Sequence, residues 1–235
     1  MDFQTLSHLN AFVNKLSGNN FPMTSKKTKL PNTSKCYSLL TWLTQLTYVT
    51  VCILGLFNVP KEKALKDGTV NIVVALEAIV LIIYLHEQKY LLRKLIRELN
   101  RAFTLNNETL RNVTNDTVRS LEGPLKIYTI ASVSSVVLWT GLPLVEVSRK
   151  NEFFYTDYSV PAVLSEQPFS NRVFLVGVVL QICGSAFTVV KKIGVDLYTI
   201  HLILLMTAQY KFLRNEFAET LRNSEEDFEG FFRDT

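Results

Sequence analysis

Four long stretches almost free of charge constrain this chain more than any other feature. Tyr37 to Val59, Ile127 to Val145 and Val173 to Val190 contain no Asp, Glu, Lys or Arg, and Thr69 to Tyr84 contains only Glu77. As helices these runs reach about 25–35 Å, close to the hydrocarbon thickness of a bilayer. A soluble helix of that length shows a polar stripe every three or four residues. Ile79 to Leu85 and Val178 to Ile182 show almost none. A chain of 235 residues has too little other mass to bury four such helices on all sides. The expected fold class is therefore all-α, a polytopic membrane helix bundle with four spans near 37–59, 69–86, 126–145 and 173–192. A short N-terminal region (1–36) precedes the bundle (37–208), and a helical tail (209–235) follows it.

Lys and Arg set the expected orientation, because they are retained on the cytosolic side. The N-terminal region carries Lys15, Lys26, Lys27, Lys29 and Lys35, and the loop from Glu87 to Pro124 carries Lys89, Arg93, Lys94, Arg97, Arg101, Arg111 and Arg119. The opposite loops carry Lys61, Lys63, Lys66, Arg149 and Lys150. Both termini are thus expected in the cytosol. Three glycosylation sequons at Asn107, Asn112 and Asn115, and a fourth at Asn32, fall on the same side and pull the other way. Deglycosylation would decide, since glycans on Asn112 or Asn115 reverse the topology. Phe3, Leu6, Leu9, Phe12, Val13 and Leu16 recur at helical spacing. This suits an amphipathic helix on the membrane surface or on a partner, or a frayed N-terminus.

The fourth apolar run does not simply stop. Lys191-Lys192 ends it, Asp196 follows, and Leu197 to Tyr210 is again apolar. Val173 to Tyr210 as one helix is about 57 Å long, beyond any bilayer. The double Lys marks the expected inner boundary, with the helix extending into the cytosol and docking on something. Leu213, Phe217 and Leu221 continue its apolar face. Glu77 lies mid-span, where a carboxylate needs a neighbouring helix or a wet cavity. It serves either a pocket or helix packing.

Several chemistries lack support. His8, His86 and His201 are isolated, so no metal-ligand spacing appears, and neither a phosphate-binding Gly loop nor a Gly-x-Ser-x-Gly elbow occurs. No enzyme and no cofactor is expected. A net charge of +4 gives no case for nucleic acid. Cys36, Cys52 and Cys183 all avoid the outer loops, which counts against tetraspanins and the common G-protein-coupled receptor plan, both stapled there by disulfides.

Three loose motifs occur in order: Tyr155 to Pro161 (Tyr-Thr-Asp-Tyr-Ser-Val-Pro), Gln167-Pro168-Phe169, and Gly194-Val195-Asp196 followed by His201 and Ala208 to Leu213. With the spans and the basic inner loop, they make the chain resemble the first four spans of an insect odorant receptor, most like the hymenopteran sets. The resemblance covers nearly the whole chain. It implies a subunit of an odorant-gated cation channel, in the plasma membrane of olfactory neurons with its N-terminus cytosolic. It also implies a volatile odorant ligand and assembly with the olfactory co-receptor. Family members are similar in having seven spans, the last lining the pore, so this chain is expected to be cut short before its pore.

The family's odorant pocket lies in the outer half of the bundle. Onto that pocket the resemblance carries Ser132, Ser135 and Trp139, which share one face of the third span at i, i+3 and i+7. Phe174 and Val178 are the expected contribution of the fourth span, and Val73 and Glu77 that of the second. A hydroxyl and an indole in an apolar pocket suit a small, weakly polar odorant. Close helix packing and an aromatic belt explain the same residues without a ligand. A different class of function is also open: a non-catalytic four-span adaptor whose helix from Leu197 onward binds partners.

Overall fold

A computed structural model describes residues 3–25, 31–104 and 108–233. Lys26, Lys27, Lys29 and the sequon residue Asn107 lie outside the described residues. Two short helices open the chain, α1 (Phe3–Leu6) and α2 (His8–Leu16). Then come α3 (Asn32–Phe57), the single turn α4 (Lys61–Lys63), α5 (Thr69–Glu87), α6 (Lys89–Thr104), α7 (Glu108–Gly141) and α8 (Asn171–Arg233). A π-turn over Ala64–Gly68 joins α4 to α5. Two-residue strands β1 (Glu152–Phe153) and β2 (Phe169–Ser170) pair antiparallel, with Phe153 opposite Phe169. Four helical segments are long and apolar enough to cross a membrane: Asn32–Phe57, Lys61–Glu87, Glu108–Val147 and Asn171–Arg222.

All four of these runs are therefore helical over most of their length. The expected loop at 87–124 is largely helical too. α6 follows α5 after a one-residue break at Gln88, and α7 begins well before the apolar run and continues through Pro124. The short helix α4 and its π-turn likewise extend the second span backward to Lys61.

α8 is the mast of the bundle. Its 63 residues span about 95 Å. α2, α3, α5 and α7 all pack against it. The end of the molecule carrying residues 142–170 is termed outer here, and the end carrying α1 and α2 inner. At the outer end the connection from α7 to α8 folds inward. Tyr158, Val160 and Ala162 are buried with Phe153, Phe169, Phe174 and Val178 against Tyr48 and Cys52 of α3. Irregular backbone at such depth needs polar partners. Gln181 supplies one, donating from Nε2 to the Val160 carbonyl at 2.6 Å, and the Val163 amide donates to the Val51 carbonyl at 3.1 Å.

At the inner end the docking surface for α8 is the chain's own N-terminus. The Tyr198 hydroxyl donates to the Pro22 carbonyl at 2.9 Å, and His201 Nε2 lies 3.2 Å from the Phe3 carbonyl. Phe3 and Phe21 are buried with Ile82, Ile96, Leu99, Tyr198 and Leu205. The N-terminal helices therefore serve as inner packing rather than as a separate surface element. Phe12 and Leu16 remain exposed. Gly194 permits this approach, since a Cβ there would sit 2.9 Å from Asn19 Nδ2, the atom that donates to the Lys191 carbonyl. Farther along the helix Leu213, Phe217 and Leu221 are exposed.

Candidate functional site

A cleft of about 670 Å³ with both apolar and polar walls lies among α5, α7 and α8. Its volume falls in the usual range for small-molecule sites, about 300–1,000 Å³. α5 contributes Glu77, Leu81, Tyr84 and Leu85; α7 contributes Leu125 and Tyr128; α8 contributes Lys192, Val195, Asp196, Thr199 and Ile200. Each set recurs at helical spacing, so one face of each helix looks into the cleft. Apolar side chains make most of the wall.

One polar rung crosses it. Lys192 Nζ lies 2.7 Å from Asp196 Oδ1 and 3.3 Å from Glu77 Oε1. The Tyr128 hydroxyl donates to Asp196 Oδ2 at 3.2 Å. The rung ties all three helices together. It carries two carboxylates against one ammonium. The Glu77 side chain keeps half of its accessible surface. A charged group at mid-span is costly against lipid tails, by about 2.5–3.5 kcal/mol on insertion scales, and is tolerated beside protein or water. The cleft is thus a place for water and polar atoms inside an otherwise apolar wall.

Lys191 behaves differently from its neighbour. It is fully buried toward α3, with Nζ 3.4 Å from Thr41 Oγ1 and 4.3 Å from the centre of the Trp42 ring. An ammonium over an indole gains cation–π attraction. The double Lys thus splits between two faces of α8, one toward the α3 seam and one toward the cleft.

The seven residues carried over from the resemblance divide into two groups. Glu77 lines the cleft directly. Ser132, Ser135 and Trp139 follow Tyr128 at i+4, i+7 and i+11, so they continue the same face of α7 toward the outer end. Val73 precedes Glu77 by four and does the same on α5. Ser135, Trp139 and Val73 are exposed and Ser132 is half-buried. Phe174 and Val178 are elsewhere. Both are fully buried in the outer core, where the Phe174 ring stacks on Phe153 at 4.0 Å and on Tyr158 at 5.0 Å. Burial pushes the Tyr158 phenol above its ordinary value. The two groups do not line one cavity.

Sequence reasoning missed Tyr128, Lys192 and Asp196 as site residues. A signal was present. Tyr128 sits four residues before Ser132 on the same helical face, and Lys192–Asp196 is an i, i+4 ion pair next to a bilayer-length run. A second, smaller hollow of about 190 Å³ lies under α2 and is lined by Leu9, Phe12, Val13, Ile130 and Val133 among others. Cys36, Cys52 and Cys183 are free thiols. Among the described residues no three His, Cys, Asp or Glu side chains gather to hold a metal ion.

The family model described as 7tm Odorant receptor matches residues 68–234, well over half of the chain. It takes in the cleft, the loop and α8 sides of the outer core, and the helices α5 to α8. No curated protein and no solved structure matches.

Proposed function

The chain belongs to the 7tm odorant receptor family, and from that premise we propose that it recognises odorants as a subunit of an odorant-gated cation channel. The family is one of receptors rather than enzymes. The cleft among α5, α7 and α8 is the proposed odorant site, with Val73, Ser132, Ser135 and Trp139 as its outer extension and Glu77, Tyr128, Lys192 and Asp196 as its polar rung. The observation that carries this reading is the rung itself, an ion-pair network left half open in an apolar wall. Apolar walls hold a volatile molecule by dispersion and shape, and a few convergent polar groups orient it.

Gating in this reading is a population shift. An odorant that binds the open state better than the closed one moves the equilibrium by its differential affinity. α8 is the proposed lever, because it floors the cleft and runs on to the inner core. The pore lies outside these four spans. Assembly with the olfactory co-receptor, a plasma-membrane location in olfactory neurons and cytosolic termini complete the proposal. The basic residues of α6 and of the N-terminal region support that orientation.

The test is a dose–response curve for receptor expressed with its co-receptor. Leu125→Trp fills the cleft and raises the half-maximal odorant concentration roughly tenfold, equivalent to about 1.4 kcal/mol of lost binding, with surface expression unchanged. An unshifted curve at equal expression contradicts the site.

A further inference from the structure

α6 has no part in the cleft, yet its chemistry is specific. Ile96 and Leu99 are fully buried in the inner core, and Asn100 Oδ1 accepts a hydrogen bond from the Phe3 amide at 3.0 Å. One face is therefore fixed to the bundle. The opposite face carries Tyr90, Lys94 and Arg97 at i, i+4 and i+7, all exposed. Tyr90 is 72% exposed and the adjacent Leu91 is 56% exposed. Lys89 and Arg93 lie half-buried beside this face.

Among the described residues Lys89, Arg93, Lys94 and Arg97 form no ion pair with a carboxylate. Glu87 and Glu98 are exposed nearby and offset part of the charge. Burial, and after it the neighbouring Arg93 guanidinium, hold the Lys89 ammonium below the ordinary lysine value. All of this begins one residue beyond Gln88, where the second span ends.

We propose that the exposed basic face of α6, with Tyr90 and Leu91 at its membrane edge, binds the headgroups of anionic phospholipids in the leaflet at the inner end of the bundle. Arg93, Lys94 and Arg97 lie within about 15 Å of the end of α5, inside the reach of headgroups and long side chains. Aromatic and apolar side chains at the boundary seat in the interfacial layer while the cations meet phosphates. The helix is held on its other face by Ile96 and Leu99, so the cations are presented as a fixed row rather than as a flexible tail. The occupant is a lipid rather than a peptide because the row starts where the span ends. The proposal does not depend on the odorant site.

The experiment uses the full chain in mild detergent, equilibrated with equal amounts of phosphatidylserine and phosphatidylcholine. Native mass spectrometry then counts the lipid retained. The wild-type chain retains phosphatidylserine over phosphatidylcholine by roughly tenfold or more, the scale set by several cations near one anionic surface. R93Q/K94Q/R97Q removes most of that preference. K61Q/K66Q, at the other end of the second span, leaves it intact. Equal retention of the two lipids by the wild-type chain overturns the proposal, as does an unchanged preference in the folded triple variant. If the triple variant does not fold, K94Q alone decides. A drop of roughly threefold supports the site, and no drop overturns it.

Discussion

The outer core and the cleft are built from the same kind of residue and end in opposite states. In the outer core Phe174 and Val178 of α8 are sealed by Phe153, Tyr158 and Phe169 from the connecting loop. In the cleft, α8 presents Lys192, Val195 and Asp196 on another face, with α5 and α7 as walls and an open side. Helical spacing marks an apolar face in both cases. Whether such a face becomes packing or pocket is decided by what the rest of the chain lays over it. The loop supplies four aromatic rings at the outer end. Nothing comparable reaches the cleft among the described residues.

That contrast predicts unequal responses to substitution. The largest effect is expected at Phe174→Ala, which leaves a void under three stacked rings. Such a change costs about 3–5 kcal/mol, and a thermal-melting assay of the purified chain should show a large fall in Tm. A wild-type Tm would mean that the outer core is not closed. Next comes Gly184→Val. A Cβ at Gly184 runs into the Tyr48 ring of α3, and overpacking of this kind costs about 1–3 kcal/mol. Melting of this variant should fall less than for Phe174→Ala.

The cleft should respond differently. Lys192→Met leaves Glu77 and Asp196 facing one another without their shared cation. The loss should stay below the roughly 3–5 kcal/mol seen for fully buried pairs, because this rung is partly open. Adding Glu77→Gln to that variant should restore part of the Tm, and a simple sum of two losses would sink the shared-cation account. Smallest in stability is Trp139→Ala. The side chain is 38% exposed and its carbonyl accepts from Ser159 Oγ whatever the side chain is. Its melting should match wild type while the odorant response shifts, and an unchanged dose–response would remove Trp139 from the site.

The spans were legible because bilayer length and charge exclusion are local properties of sequence. The extension of α8 was legible for the same reason, from Leu197 to Tyr210. What covers each face was not. Tyr158 meets Phe174 across the turn from loop to helix, and Phe3 meets His201 from opposite ends of the chain. No periodicity records such contacts. Gln181 illustrates the point. It stands in a run that looks uniformly apolar, and its role appears only when the Val160 carbonyl arrives beside it. Of the residues carried over for the pocket, Ser132, Ser135, Trp139, Val73 and Glu77 share the exposed faces of α5 and α7, whereas Phe174 and Val178 are the pair that the loop covers.

The most direct test of the cleft as the odorant site is thiol protection in receptor assembled with its co-receptor. With Cys36, Cys52 and Cys183 replaced by Ser, single cysteines are placed at Leu125 in the cleft wall and at Val178 in the outer core. A membrane-permeant methanethiosulfonate is then applied with and without an activating odorant. The account predicts ready labelling of Leu125→Cys that slows at saturating odorant, and little labelling of Val178→Cys in either condition. Labelling of Leu125→Cys at the same rate with and without odorant would contradict it.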